Sequence, residues 1–439
     1  MLRFFGFYYC FIKRKEASVR RQIIQVNERP PLLQSIPLSL QHLFAMFGAS
    51  VLVPMLFKID PGTVLLFNGI GTLIYLVLCQ GKVPAYLGSS FAFLSPVFAV
   101  MSSLNYNAAL GGFIASGLVF ITVALIIKAF GYRWIDVVFP PAAMGAIVAI
   151  IGLELAPVAA NMAGLTAAKL DVPTITVSLF TFGVVVFGSV LFRGFLGVIP
   201  ILIAIIAGYL LALSLGMVKF DAVATASVFS VPTFYKPVLN WGAVITVLPA
   251  AFVVIAEHIG HFIVTEKIIG KDLKKDPGLH RSLMGDGVST TLSGFFGSVP
   301  TTTYGENIGV MAITRVYSVW VIGGAAIISI LMAFMGKFTA IIGSIPVPVM
   351  GGVSLLLFGV IAASGIRMLV ESKVDYSKPK NLILTSIVLI VGLSGAHVEV
   401  GTVSLKGMAL ATLLAIVVSL LFGLFEKMGL ISTQEILEP

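Results

Sequence analysis

Cysteine is almost missing from this 439-residue chain: Cys10 and Cys79 are the only two. That excludes a disulfide framework and a thiolate metal cluster. Charge is also scarce, at 11% of residues, while 58% are hydrophobic and the mean hydropathy is +1.06. A soluble surface cannot be made from so few charges, and the values lie within the range of polytopic membrane proteins. No Walker sequence, serine-nucleophile elbow or haem motif occurs, so ATP-driven work and membrane enzymology lose support. The net charge of +9 could suggest nucleic acid, but the basic residues concentrate in particular loops, which points to a bilayer instead.

What the chain has is apolar length. Fourteen segments are expected to span, near 36–57, 62–79, 84–101, 108–128, 134–153, 174–192, 194–216, 241–265, 282–298, 300–315, 317–336, 338–366, 380–396 and 405–426. The twelfth is long and broken by Pro346 and Pro348. An even count puts both termini on one side. With that side cytoplasmic, six of the 28 Lys and Arg (Lys58, Lys169, Lys219, Lys236, Lys337, Lys406) fall outside and the others inside, as the positive-inside rule requires. Residues 1–30 read as a basic cytoplasmic tail without a signal-cleavage site, and 428–439 as a short cytoplasmic tail.

The two halves of the chain repeat. Gln41-His42 recurs as Glu257-His258, and Gly81-Lys82-Val83-Pro84 as Gly297-Ser298-Val299-Pro300, both 216 residues on. The same shift carries Ser90 onto Glu306 and Phe91 onto Asn307. Gly111-Gly112 echoes Gly323-Gly324, and the run from Pro140 to Gly145 echoes that from Pro346 to Gly351. Seven spans per half is odd, so the second half enters the membrane from the opposite side. The fold expected is therefore an all-α polytopic membrane protein made of two inverted seven-span repeats. Pro300 and the β-branched residues after it disfavour helix, so Thr301 to Thr303 should be extended, Gly305 a permissive joint, and a half-helix should follow from Glu306. Tyr86 to Ser90 should cross this segment as a second short strand, with half-helices starting near Phe91 and Asn307. Backbone pairing between the strands would relieve unpaired groups in lipid.

Polar residues inside the spans mark the candidate site. Glu306, with Asn307, is the best substrate ligand, since a carboxylate accepts two N–H bonds from a planar heterocycle. Glu257 and His261 are four apart and share a helix face, where carboxylate and imidazole together can take up and release a proton. The HExxH pattern is absent, so this pair is not assigned a metal. His258 points about 100° away and reads as a packing residue. Gln41 and His42 read as supports of the site, and Glu154 and Asp136 as solvated residues near span ends.

The run Glu306-Asn307-Ile308-Gly309-Val310-Met311-Ala312-Ile313-Thr314-Arg315 resembles the signature of the nucleobase–ascorbate transporters, the nucleobase:cation symporter 2 family. Gln41-His42 matches that family's motif in the first span. Ala85 to Phe93 and Ala256 to His261 resemble its bacterial uracil-transporting members. The resemblance implies a core domain (31–133 and 241–336) and a gate domain (134–240 and 337–427). It implies proton-coupled uptake of a nucleobase, with the proton gradient as driving force and no cofactor. Glu257 and Glu306 match the family's substrate-contacting carboxylates, His261 a residue tied to proton coupling, and Phe91, Tyr304 and Gly305 positions lining the base; Ser90 belongs to the same motif. Phe358 departs from the pattern, because similar uracil permeases can carry tyrosine there.

Together these imply a non-enzymatic uracil:proton symporter of the inner membrane, working by alternating access. Its partners would be a nucleobase, protons and the lipid bilayer, with a homodimer open and no nucleic acid. The alternatives are a xanthine or urate symporter of the same architecture, an anion transporter or channel, and a regulator without transport.

Overall fold

The computed structural model describes residues 23–400 and 403–430. Most of the basic leader (1–22) and the last part of the C-terminal tail (431–439) lie outside the described residues. The first expected span is a bent pair, α1 (Leu32–Ala45) and α2 (Phe47–Phe57), with 42° between them. Asp60 then caps α3 (Pro61–Leu78) by accepting from the Gly62 N–H, with Pro61 in the first turn, where its missing donor costs nothing. Strand β1 (Leu87–Ser89) leads through a 3₁₀ turn at Phe91–Phe93 into the half-helix α4 (Leu94–Ser103). Asn105 caps α5 (Tyr106–Phe130).

After the short α6 (Ile135–Val138) comes α7 (Pro141–Glu154), continued by α8 (Ala156–Met162). The fifth segment is thus Pro141–Met162 rather than 134–153, because consecutive prolines at 140 and 141 force the helix to start there. Then follow α9 (Val172–Leu191), α10 (Pro200–Ser214), α11 (Asp221–Thr225), α12 (Trp241–Val247) and α13 (Pro249–Ile269). The second repeat continues with α14 (Leu279–Phe296), β2 (Thr301–Thr303), the half-helix α15 (Gly305–Thr314) and α16 (Val319–Ala333). The twelfth segment divides, as its prolines suggest, into α17 (Gly336–Gly343) and α18 (Val347–Glu371). Helix α19 (Pro379–Leu393) and helix α20 (Gly407–Lys427) are joined by a hairpin of β3 (His397–Val400) and β4 (Val403–Lys406), which the all-helical expectation missed.

A helix, or a strand with a half-helix, stands at each expected segment. Among the described residues, seven helices are long and apolar enough to cross a membrane, or eight with the bent pair counted as one crossing. The chain is therefore a multi-pass membrane protein. The repeat is visible in detail. Gly81 and Gly297 both take positive φ, +65° and +87°, at matching turns before the two strands. Helices α7 and α18, which carry the echoed proline motifs, pack antiparallel. Gly145 lies against Gly365, Gly152 against the Phe358 carbonyl, and Gly351 against Met162.

Small residues allow the closest helix contacts. Gly117 on α5 meets Gly287 and Thr291 on α14, and Gly294 meets Ile114. Without a hydrophobic driving force between helices in lipid, such backbone approach supplies much of the packing energy. Helix α14 packs against α5 and α3, and α16 against α3 and α1, while α18 packs with α7, α8, α9 and α10, and α19 with α7 and α20.

Candidate functional site

Two strands cross at the centre of the fold. β1 and β2 pair antiparallel, Leu87 opposite Thr303, Gly88 opposite Thr302 and Ser89 opposite Thr301. The ladder extends at both ends: the Ser90 N–H donates to the Pro300 carbonyl at 2.9 Å, and the Tyr304 N–H to the Tyr86 carbonyl at 3.1 Å. Side chains complete it. Thr72 Oγ1 accepts from the Leu87 N–H at 2.9 Å and Thr290 Oγ1 from the Thr301 N–H at 3.1 Å. Interior backbone that is not helical is tolerated in lipid only when satisfied in this way. The expected crossing is met, with the second strand pairing from Pro300 to Tyr304 rather than over Thr302–Glu306, since Gly305 and Glu306 are already helical.

The second half-helix starts at Gly305, two residues before the expected Asn307 and one before Glu306. Gly305 is its first helical residue, not a joint with special backbone, and it has no positive φ. It is small for a different reason: a Cβ there would come within 3.2 Å of His261 Nε2. The first half-helix begins as expected near Phe91, through its 3₁₀ turn. Neither start has a capping side chain: Ser90 and Tyr304 occupy the cap positions without a side-chain bond. The first N–H groups of both half-helices are therefore free of caps beside the crossing, and their partial positive charge favours a ligand oxygen there.

Around the crossing the predicted residues gather. Tyr304 lays its ring over Gly88 and donates from its hydroxyl to the Ser89 carbonyl at 2.8 Å. Ser90 is buried, and its hydroxyl has no hydrogen-bond partner among the described residues. From α13, His261 Nδ1 lies 3.2 Å from Thr303 Oγ1. Glu257, one turn earlier, is within electrostatic reach of Glu306. Glu257, His261, Glu306, Gly305 and Phe91 are all only partly buried, and among the described residues neither glutamate receives a hydrogen bond from another side chain. Two carboxylates, an imidazole and two uncapped helix starts thus face one place with hydrogen-bonding capacity to spare. Phe91 meets Phe358 of α18 edge to face, with ring centroids 5.8 Å apart at 82°.

Asn307 supports this arrangement from behind. It is fully buried, and its Nδ2 lies 3.1 Å from His42 Nδ1 and donates to the His42 carbonyl at 3.0 Å, tying α15 to α1. Gln41 is placed differently, in the wall of a surface hollow of about 270 Å³ together with Phe195, Val198 and Ile313.

Two sequence readings need correction. His258 is no mere packing residue. It is fully buried, with Nδ1 3.1 Å from Asp286 Oδ2 and Nε2 2.8 Å from Ser282 Oγ. Asp286 also accepts from Thr301 Oγ1 at 3.1 Å, so the network reaches the second strand. Asp286 was missed altogether; the available signal was a lone carboxylate within the small-residue run Gly285-Asp286-Gly287. Glu154 is not solvated either: it accepts from Ser95 Oγ at 2.5 Å and from the Met408 N–H at 3.0 Å. Asp136 is exposed, as expected.

Among solved structures, the chain is similar to the murine Solute Carrier 26 family member A9 anion transporter, with TM-score 0.70 and 9% identity over 95% of this chain and 75% of that one. It is also similar to the transmembrane domain of the cyanobacterial bicarbonate transporter BicA, with TM-score 0.57 and 14% identity over 94% of this chain and 100% of that one. These likenesses show a shared fold. In sequence, the chain is 64% identical to the uracil permease of Escherichia coli (strain K12), over 92% of this chain and 95% of that protein. It is 62% identical to the uracil permease of Paenibacillus larvae, over 93% and 99%, and 46% identical to that of Bacillus subtilis (strain 168), over 92% and 96%. The model of the permease family Xan_ur_permease matches residues 33–401, and on this match and these identities the chain belongs to that family.

Proposed function

We propose that this permease carries uracil across the cytoplasmic membrane together with protons, by alternating access. The observation that carries the reading is the crossing of β1 and β2, where Glu257 and Glu306 stand without side-chain partners beside two uncapped half-helices. A planar base bearing two N–H groups and two carbonyls is complementary to that set: carboxylates accept from the N–H groups, and backbone N–H groups donate to the carbonyls. Phe91, Tyr304, Gly305 and Ser90 line the base. His261 and Glu257 handle the proton, because they adjoin the crossing on one helix face. His42 and Asn307 hold α15 in place, and Gln41 supports the same helix from the hollow.

The helix packing supports a core of α1–α5 and α12–α16 moving against a gate of α7–α10 and α18–α20, with α17, which packs on α3 and α16, at the boundary between them. Fourteen spans with both termini cytoplasmic follow from the repeat and the basic residues. The relatives' names support uracil, and no ATP motif exists, which leaves an ion gradient as the driving force. An inorganic anion fits poorly, since two carboxylates at the crossing would repel it.

The test is thermal stabilisation of the purified protein across a panel of bases, followed by labelled-uracil uptake into proteoliposomes with and without an acid-outside gradient. Uracil should stabilise most, and a protonophore should abolish accumulation. Uptake that ignores the proton gradient but follows sodium would overturn the proton assignment. Stabilisation by xanthine and not by uracil would overturn the substrate.

A further inference from the structure

We infer that Ser95 and Glu154 form a latch that holds one end of the access pathway shut, and that this bond must break for that end to open. The inference rests on the carrier reading above. Ser95 sits on α4, one turn beyond Phe91, on the element that carries the base-facing strand. Glu154 ends α7, on the other of the two helix groups. The Ser95 hydroxyl donates to Glu154 Oε1 at 2.5 Å.

The other carboxylate oxygen has a different attachment. Glu154 Oε2 accepts from the Met408 N–H at 3.0 Å, at the start of α20. Helix starts favour a carboxylate. The approach is close: Gly407 has φ +54°, and a Cβ there would collide with the Glu154 carboxylate. Helices α7 and α20 both belong to the proposed gate, so this second bond is internal to the gate and survives its movement. The Ser95 bond joins the two groups, so it is the one that relative movement must break.

The gate meets the 3₁₀ turn that opens into α4 at a second height. Phe358 of α18 meets Phe91, and α18 is pressed onto α7 at Gly152, whose Cβ would strike the Phe358 carbonyl. Phe358 and Glu154 are thus presented by one tightly packed helix pair and should leave α4 together. A third tie lies in the hairpin before α20, where the Ser404 N–H donates to Thr246 Oγ1 on α12 at 3.2 Å.

The hollow that holds Gln41 lies at the other end. It is walled by Gln41 and Ile313 on one side and by Phe195 and Val198, in the turn between α9 and α10, on the other. The chain reverses between α7 and α9, so that turn is at the end opposite Glu154. Between the two groups the structure thus holds the Ser95–Glu154 tie at one end and a hollow of about 270 Å³ at the other. Ser95 and Glu154 are positioning residues, acting on access to the base and not on the base itself.

The test uses nitroxide pairs at Leu104→Cys and Leu165→Cys, exposed positions beyond α4 and α8 at the latched end, in a chain carrying Cys10→Ser, with Cys79 buried. Pulsed electron-resonance distances in proteoliposomes should show a short population in the parent chain. Ser95→Ala and Glu154→Ala should each move a large fraction to longer distance, and Ser95→Thr, which keeps the hydroxyl, should restore the parent distribution. Uracil Kd should change by less than about twofold in Ser95→Ala, while maximal uptake rate changes by about threefold or more. A thermal melt establishes that each variant is folded; if Ser95→Ala is not, Glu154→Ala decides. Superimposable distance distributions in the parent and the folded variants would overturn the latch. A parent chain that neither binds nor carries uracil would overturn the functional reading instead, and the distances would still judge the latch.

Discussion

Helix α13 presents two neighbouring polar patches with opposite character. His258, buried with Asp286, Ser282 and Thr301, has both ring nitrogens engaged by protein groups. Glu257 and His261 stand on an adjoining face, partly buried, with only the contact from His261 to Thr303 among the described residues. Satisfied polar groups inside a protein hold elements in register, whereas groups with spare capacity are where a ligand replaces water. The comparison separates a scaffold face from a working face within a single turn of helix.

The largest effect should come from breaking the scaffold face. Asp286→Ala leaves His258 and Thr301 without their shared acceptor, and removing one partner of a buried pair costs about 3–5 kcal/mol. The thermal melt of the unliganded protein should fall further than for any change on the working face. An unchanged melt would erase the distinction.

His261→Leu tests the working face through energy coupling. One proton crossing about 100 mV gains about 2.3 kcal/mol, enough for roughly 50-fold accumulation of a neutral base. The variant should lose that accumulation in proteoliposomes and retain measurable uracil binding. Glu257→Gln should impair both, because its carboxylate also meets the base. Accumulation by His261→Leu equal to that of the parent chain would remove His261 from the proton path.

Glu306→Gln should weaken uracil about tenfold or more, since a hydrogen bond to a charged group contributes about 1.5–3 kcal/mol. The unliganded melt should not move, in contrast to Asp286→Ala. Calorimetry showing undiminished binding would take Glu306 out of the site. The smallest effect is expected from Phe358→Tyr. A single hydroxyl added beside Phe91 should alter uracil affinity by about 1 kcal/mol or less, roughly fivefold at most by titration calorimetry. A larger loss would show that Phe358 needs its apolar edge against Phe91.

Much of this was legible because lipid makes chain patterns strict. Apolar length marked the segments, Pro300 and the threonines marked the break, and the 216-residue shift paired the two strands from residue order alone. Boundaries slipped where local geometry decided them. Pro140-Pro141 delayed the fifth segment, and the second half-helix began one residue before Glu306, at Gly305, where His261 leaves little room for a side chain. The β3–β4 hairpin was missed because its residues read as an ordinary connection between apolar runs.

By itself, then, the sequence determined the membrane class, the repeat, the crossing strands and the polar residues of the crossing, because hydropathy and helix-breaking chemistry act along the chain. Only the tertiary structure decided which polar residues are satisfied. The partners of His258 and Glu154 come from distant segments: Asp286 lies 28 residues from His258, Ser95 lies 59 residues from Glu154, and the Met408 N–H lies 254 residues from it. A carboxylate in a span reads the same whether its bonds are filled or open. Its role depends on which helix packing brings a donor within about 3 Å, and no local pattern encodes that distance.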